Sequence, residues 1–130
     1  MRRQPLRFGL YPWFPGHGLT FIHPANRRDF EDLQPAGKVF ELLETANGWL
    51  LLRYQDRQYK VKPELFNEVD QPPFRYGDWV NVLNAPELSK MHAEINDVFW
   101  NEREGRAFYG LVQRKRQVPG TFQAEDLQKI

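Results

Sequence analysis

The stretch "GKVFELLETANGWLLLRYQDRQYKVKPELFNEV", residues 37–69, carries the clearest strand and turn signals in the chain. Asn47-Gly48 separates two apolar runs, and this dipeptide is the strongest short-range signal for a β-hairpin. "WLLLRY" (49–54) predicts a buried strand, and "QYKVK" (58–62) predicts a partner strand because apolar and charged residues alternate in it. "PELF" (63–66) predicts a short helical turn, since proline suits the first position of a helix.

The same plan recurs after "QPPF" (71–74), where two prolines mark a boundary. "YGDWVNV" (76–82) predicts a strand in which Val80 and Val82 share a face. "AEINDVFW" (93–100) and "RAFYGLV" (106–112) predict a hairpin around the loop "NEREG", and the acidic-apolar turn "AEDL" follows near the end. Strand, hairpin, strand and terminal turn therefore occur twice, as a repeat of the plan and not of the letters.

Two segments, 38–46 and 86–98, satisfy helical spacing as well as strand spacing. We predict strands, because each run leads directly into a hairpin partner. One short helix is predicted at "NRRDFEDL" (26–33). Asn26 is its expected N-cap, and Phe30 and Leu33 are expected to face inward.

The aromatic segment "LYPWFPGHGLTFIHP" (10–24) allows two interpretations. As a ligand platform, it offers Trp13 and Phe14 as stacking faces and His17 and His23 as polar tips. As a structural plug, its prolines stiffen the chain, so the rings between them lose little entropy on packing. We favour the plug, with "LTFI" joining a sheet edge and His17 as the exposed tip.

Composition supports a small β protein in a reducing compartment. The chain has 130 residues, 15% of them aromatic, no cysteine and a net charge of +1. No apolar run resembles a signal peptide or a membrane span, so we expect a cytoplasmic protein. Short strands with tight turns and a terminal helical turn are typical of SH3-like barrels. We therefore predict a mainly β fold with two small SH3-like barrels in tandem, an N-terminal aromatic segment and one short helix.

The quoted segments also resemble an uncharacterised family of small bacterial proteins that open with a "GLYPWFPGHGL"-type segment. The resemblance covers nearly the whole chain, and the opening segment is its most specific part. It implies tandem SH3-like barrels and no established activity. We accordingly divide the chain into an N-terminal region packing on the first barrel (1–36), a first SH3-like unit (37–70) and a second SH3-like barrel (71–130).

Aromatic side chains in the predicted strands are candidates for a binding groove or a core. They are Trp49, Trp79, Trp100, Phe108 and Tyr109. A cage of such rings binds methylated cations, but small barrels also need large side chains to fill their interiors. We expect most of these rings to be buried, with Trp100, beside "NEREG", and Tyr54, before the turn at 55–58, as exposed exceptions.

No catalytic or metal-binding pattern is present. The sequence has no Gly-Lys-Ser/Thr phosphate loop, no cysteine and no His-x-x-x-His pair, and the spacing of His17 and His23 matches no zinc site. We predict no catalytic residue, no metal and no cofactor.

The leading hypothesis is a non-catalytic module that binds another protein, in an adaptor, regulatory or immunity-like role. Its candidate contact residues are Trp13, Phe14, His17, Tyr54 and Trp100. The alternative is RNA or DNA binding through the basic turn Arg114, Lys115 and Arg116, because a cationic hairpin tip can contact phosphates. The nearly neutral net charge gives that alternative no support.

Overall fold

The chain divides into two compact units, Met1–Gln71 and Pro72–Ile130. The computed structural model describes residues 6–83 and 92–130. Within these residues the protein is mainly β, with one five-stranded antiparallel sheet in each unit and one short α-helix, α1 (Arg27–Leu33). No helix in the described part of the chain is long and apolar enough to cross a membrane.

The first sheet has the strand order β4-β3-β2-β1-β5. Its strands are β1 (Arg7–Leu10), β2 (Val39–Ala46), β3 (Trp49–Tyr54), β4 (Arg57–Val61) and β5 (Asn67–Val69). β1 pairs with both β2 and β5, so residues 7–10 form part of the sheet itself. This differs from the expected N-terminal region packed on a separate barrel. The pairing partners of β1 lie far away in the sequence, from Val39 opposite Leu10 to Val69 opposite Phe8, and no local pattern predicts these pairings.

The first hairpin forms where the sequence predicts it. Asn47 and Gly48 have φ values of 55° and 80°, and Ala46 pairs with Trp49 across them, as a two-residue turn between twisted strands requires. Residues 39–46 are a strand and not a helix. A bulge between Leu42 and Glu44 interrupts the alternation of buried and exposed residues, which explains why the run also fits helical spacing.

The second sheet has the strand order β10-β6-β7-β8-β9. Its strands are β6 (Trp79–Val82), β7 (Ala93–Asn101), β8 (Arg106–Gln113), β9 (Arg116–Gln117) and β10 (Leu127–Lys129). In both sheets the first strand lies between the second and the fifth, and a short 3-10 helix precedes the fifth. The strand predicted at 93–98 is confirmed, whereas 86–91 lies outside the described residues.

Helix α1 lies between β1 and β2 in the chain and packs one face into the interior of the first unit. Phe30 is 0% exposed, as predicted, and Leu33 is partly buried. Asn26 occupies the N-cap position, but its side chain does not cap the helix. Its Oδ1 instead accepts a hydrogen bond from the backbone N–H of Lys60, at 2.8 Å, which ties the start of the helix to β4.

The core of the first unit is a cluster of aromatic rings around Phe30. Ring centroids lie 5.7 Å from Tyr11, 5.8 Å from Trp13, 5.8 Å from Phe40 and 5.1 Å from Tyr59. Edge-to-face and tilted arrangements at such distances are favourable beyond the area they bury. The helix, the aromatic segment and two strands therefore share one core.

The turn between β8 and β9 has an uncommon backbone for its residue types. Arg114 and Lys115 have φ values of 51° and 65°, in the left-handed region. A residue with a Cβ pays roughly 1–2 kcal/mol there, which is why Asn-Gly dominates such turns. The second unit thus carries local strain at the tip of its basic turn.

Replacing Arg114 by Asn and Lys115 by Gly should raise the free energy of unfolding by about 2 kcal/mol, because the new residues tolerate a positive φ. Urea unfolding followed by circular dichroism measures this change. The reverse exchange at Asn47-Gly48, to Arg-Lys, is the matched control and should lower the free energy of unfolding. Equal stability of the wild type and the variant at 114–115 would contradict the strain.

Candidate functional site

The aromatic segment runs between β1 and α1 and is anchored to the edge of β4. Tyr11 is fully buried, and its hydroxyl donates a hydrogen bond to the carbonyl of Lys62, at 2.6 Å. Burial raises the pKa of Tyr11 far above its ordinary value, so the hydroxyl stays a donor. Ile22 forms a β-bridge with Val61, which confirms that "LTFI" reaches a sheet edge.

Trp13 belongs to the core and offers no stacking face to a partner. It is 2% exposed, its ring packs against Phe30, and its Nε1 donates to the carbonyl of Gly18, at 2.9 Å. The expectation of an exposed Trp13 in the platform interpretation is wrong. The indole can be buried without leaving a polar atom unsatisfied, because its only polar atom, Nε1, donates to Gly18.

Phe14, in contrast, is 57% exposed and held in one place. Its ring centroid lies 4.1 Å from that of His17. Its N–H donates to His17 Nδ1, at 3.2 Å, and the N–H of His17 donates back to the carbonyl of Phe14, at 2.9 Å. A Cβ on Gly16 would lie 2.3 Å from the Phe14 ring, so only glycine lets the ring rest there. His17 is exposed, as predicted.

A groove of about 440 Å³ opens beside Phe14. We call it the acidic-aromatic groove. Residues of the aromatic segment form one wall, and the end of α1 with the loop after it forms the other. The lining residues are Trp13, Phe14, Pro15, Glu31, Asp32, Gln34, Pro35 and Ala36. The Glu31 and Asp32 side chains are exposed and make no ion pair with any residue in 6–83 or 92–130.

His23 and Trp49 form a separate contact. His23 Nδ1 accepts a hydrogen bond from the N–H of Ala25, at 3.1 Å, and its ring meets that of Trp49 edge-on, at 5.1 Å. Lys62 Nζ covers the indole at 4.2 Å from the ring centroid. Among the described residues, no group of three or more His, Cys, Asp or Glu is placed to hold a metal ion.

The burial of the other candidate rings follows the alternation along their strands. Tyr54 shares the inward face of β3 with Leu50 and Leu52 and is 1% exposed, so the expectation that it is exposed is wrong. Trp79 is 51% exposed, because the inward positions of β6 are Val80 and Val82.

Of the four rings expected in the core, Trp49, Trp79, Phe108 and Tyr109, only Tyr109 is fully buried. Trp49, Trp100 and Phe108 are partly buried. The expectation that most of these rings are buried is therefore wrong. The period of two in a strand places Trp49 and Phe108 on the face opposite their buried neighbours, such as Leu50 and Tyr109.

The basic turn joins β8 and β9 at the end of their hairpin. Arg114, Lys115 and Arg116 are exposed and make no ion pair within the described parts of the chain. A shallow groove of about 550 Å³ lies against the turn and is also lined by Gln113, Gln117, Val118 and Pro119. Gln113 Nε2 is buried and has no hydrogen-bond partner among the described residues.

The acidic wall of the groove was not predicted from the sequence. In the segment "DFED" (29–32), Glu31 and Asp32 lie in the last turn of a short helix, where their charge opposes the helix dipole. That conflict is the signal that points to this position. Only the fold shows that Phe14 lies across from it.

The fold and the groove define a mainly β protein with two sheets of equal strand order and an exposed aromatic beside an acidic helix end. A family model described as "Family of unknown function (DUF6960)" matches residues 1–128, and the chain belongs to this family. The comparisons with curated proteins and with solved structures found no match.

The two neighbouring rings should differ sharply in what they do for stability. Trp13→Ala should lower the free energy of unfolding by about 3–5 kcal/mol, because it empties a core position. Phe14→Ala should change it by less than about 0.5 kcal/mol, because the ring is largely exposed. Chemical denaturation of the two variants measures both changes. Similar losses for the two variants would contradict their different burial.

Proposed function

We propose that the protein is a non-catalytic binding module for another protein, built on two SH3-like barrels in tandem. The equal strand order of the two sheets and the 3-10 helix before each fifth strand support the SH3-like assignment. The absence of cysteine fits a role in the bacterial cytoplasm. The role of the module would be that of an adaptor, a regulator or an immunity-like factor.

The observation that carries the proposal is the exposed but fixed ring of Phe14. Aromatic side chains are enriched at the energetic centres of protein interfaces. The ring contacts the His17 ring and lies close to Gly16, and the two hydrogen bonds with His17 fix the backbone of Phe14 before any partner arrives. Binding then costs little additional side-chain entropy. A ring needed only for stability would be buried, as Trp13 is.

The histidines of the aromatic segment support a role without catalysis. His17 and His23 each use Nδ1 to accept a backbone N–H from their own turn. A general base needs a nitrogen aimed at a substrate and oriented by a third group. Neither histidine shows such a partner among its hydrogen bonds in the described residues, so local turn stabilisation accounts for both.

Photocrosslinking tests the proposal at the ring itself. We expect p-benzoylphenylalanine at position 14 to crosslink one or a few proteins in the native host, because this residue keeps the aromatic ring and its exposure. Leu43 is also exposed, on β2, and the same photoreactive residue at position 43 is the matched control. Mass spectrometry identifies the crosslinked proteins.

The variant Gly16→Ala tests whether the position of the Phe14 ring matters for binding, because it moves the ring and does not remove it. The added methyl group displaces Phe14 without removing it, so capture of the crosslinked partner by immobilised protein should fall for Gly16→Ala as for Phe14→Ala. Thermal unfolding of each variant reports whether it is folded. If position 14 gave no crosslink, or if both variants retained the partner fully, the proposed function would be wrong.

The second candidate function is RNA or DNA binding through the basic turn, which the strained backbone at Arg114 and Lys115 favours. Strain that persists in a turn is more common at functional positions than elsewhere. Three exposed cations that make no ion pair within the described residues form a group of donors for phosphate oxygens, against a groove that Arg114 and Arg116 line.

Fluorescence anisotropy with labelled single-stranded RNA and DNA of mixed sequence tests this candidate. If the turn binds phosphates, replacing Arg114, Lys115 and Arg116 by alanine should weaken binding at least tenfold, in line with about one phosphate contact per cation. The wild-type affinity should fall steeply with salt. The Asn-Gly variant at 114–115, which keeps Arg116, should give an intermediate affinity. If the affinity stayed the same in the triple alanine variant, at higher salt and in the Asn-Gly variant, this site would be excluded.

A further inference from the structure

The two walls of the acidic-aromatic groove differ in chemistry. Phe14 and Pro15 present exposed apolar surface on one side, and Pro35 lies at the other side as a buried apolar residue. Glu31 and Asp32 place two exposed carboxylates on the helical wall. A groove of about 440 Å³ has room for one or two side chains of a partner and not for a folded element.

On the helical wall, the carboxylates of Glu31 and Asp32 repel each other and the negative end of the helix dipole, so a nearby cation would stabilise them. Glu31 and Asp32 lie in the last turn of α1, which contains no basic residue. The C-terminal end of a helix carries partial negative charge, so carboxylates there are destabilising and a nearby cation is stabilising. Arg27, at the other end of the helix, donates its Nε to the carbonyls of Leu19 and Ile22. Arg27 is therefore occupied away from this wall, and Arg28, one turn before Asp32, makes no ion pair with Glu31 or Asp32.

We propose that the occupant is an extended segment of a partner protein that places an apolar side chain on Phe14 and Pro15 and an adjacent lysine or arginine against Glu31 and Asp32. The inference rests on the proposed function and adds the chemistry of the partner. The acidic wall repels phosphates, so a nucleic acid is disfavoured at this groove. An acidic peptide is disfavoured for the same reason. Charge complementarity selects a basic one.

A random 12-residue peptide display library, selected on the wild-type protein and counter-selected on Phe14→Ala, identifies what the groove accepts. Enriched peptides should carry lysine or arginine close to a large apolar residue. Synthetic versions of the enriched peptides, measured by isothermal titration calorimetry, then give affinities for defined probes.

Neutralising the acidic wall tests the charge itself. The double change Glu31→Gln with Asp32→Asn should weaken the best peptide by about tenfold at low ionic strength and remove most of its salt dependence. Glu44→Gln, an exposed carboxylate on β2 outside the groove, is the matched control and should leave binding unchanged. Thermal unfolding should show the double variant at least as stable as the wild type, because repulsion at the helix end is relieved.

The outcomes separate this inference from the proposed function. Peptides that need Phe14 but carry no basic residue, or that bind the double variant as tightly as the wild type, would overturn the inference and leave protein binding at Phe14 intact. Failure to select any peptide that needs Phe14 would also overturn it. The proposed function itself would be removed only by the absence of crosslinks at position 14 or by full retention of the partner in both Gly16→Ala and Phe14→Ala.

Discussion

The packing of four aromatic rings around Phe30 is the interaction on which the first unit depends. Phe30 comes from the helix, Tyr11 and Trp13 from the aromatic segment, Phe40 from β2 and Tyr59 from β4. A small unit has much surface relative to its volume, so large aromatic side chains supply much of the area that it can bury. Because the rings come from distant parts of the chain, their contact fixes the helix and the segment against the sheet simultaneously.

The groove is a consequence of that core. Trp13 points inward to reach Phe30, and its neighbour Phe14 therefore points outward. Phe30 likewise directs one face of α1 into the core, which leaves Glu31 and Asp32 in the solvent beside Phe14. The same two elements thus provide both the interior contacts and the two walls of the groove. A partner would bind to a surface whose parts are already held in place.

The two units present surfaces of opposite charge. The groove of the first unit has two free carboxylates, and the turn of the second has three free cations, in each case among the described residues. This separation explains why the net charge of +1 says little about partners. Overall composition averages over surfaces that act independently, whereas recognition depends on the local arrangement.

The sequence by itself determined the elements whose signals are local: the hairpin at Asn47-Gly48, the strands around it, the 3-10 turn at "PELF" and the inward face of Phe30. Turn chemistry and a period of two depend only on neighbouring residues, so they can be read directly. Only the tertiary structure decided that residues 7–10 form a sheet strand, that Trp13 is the buried ring and Phe14 the exposed one, and that both Phe14 and the pair Glu31 and Asp32 line one groove. These outcomes depend on pairings and packing between residues far apart in the chain, for which no local pattern exists.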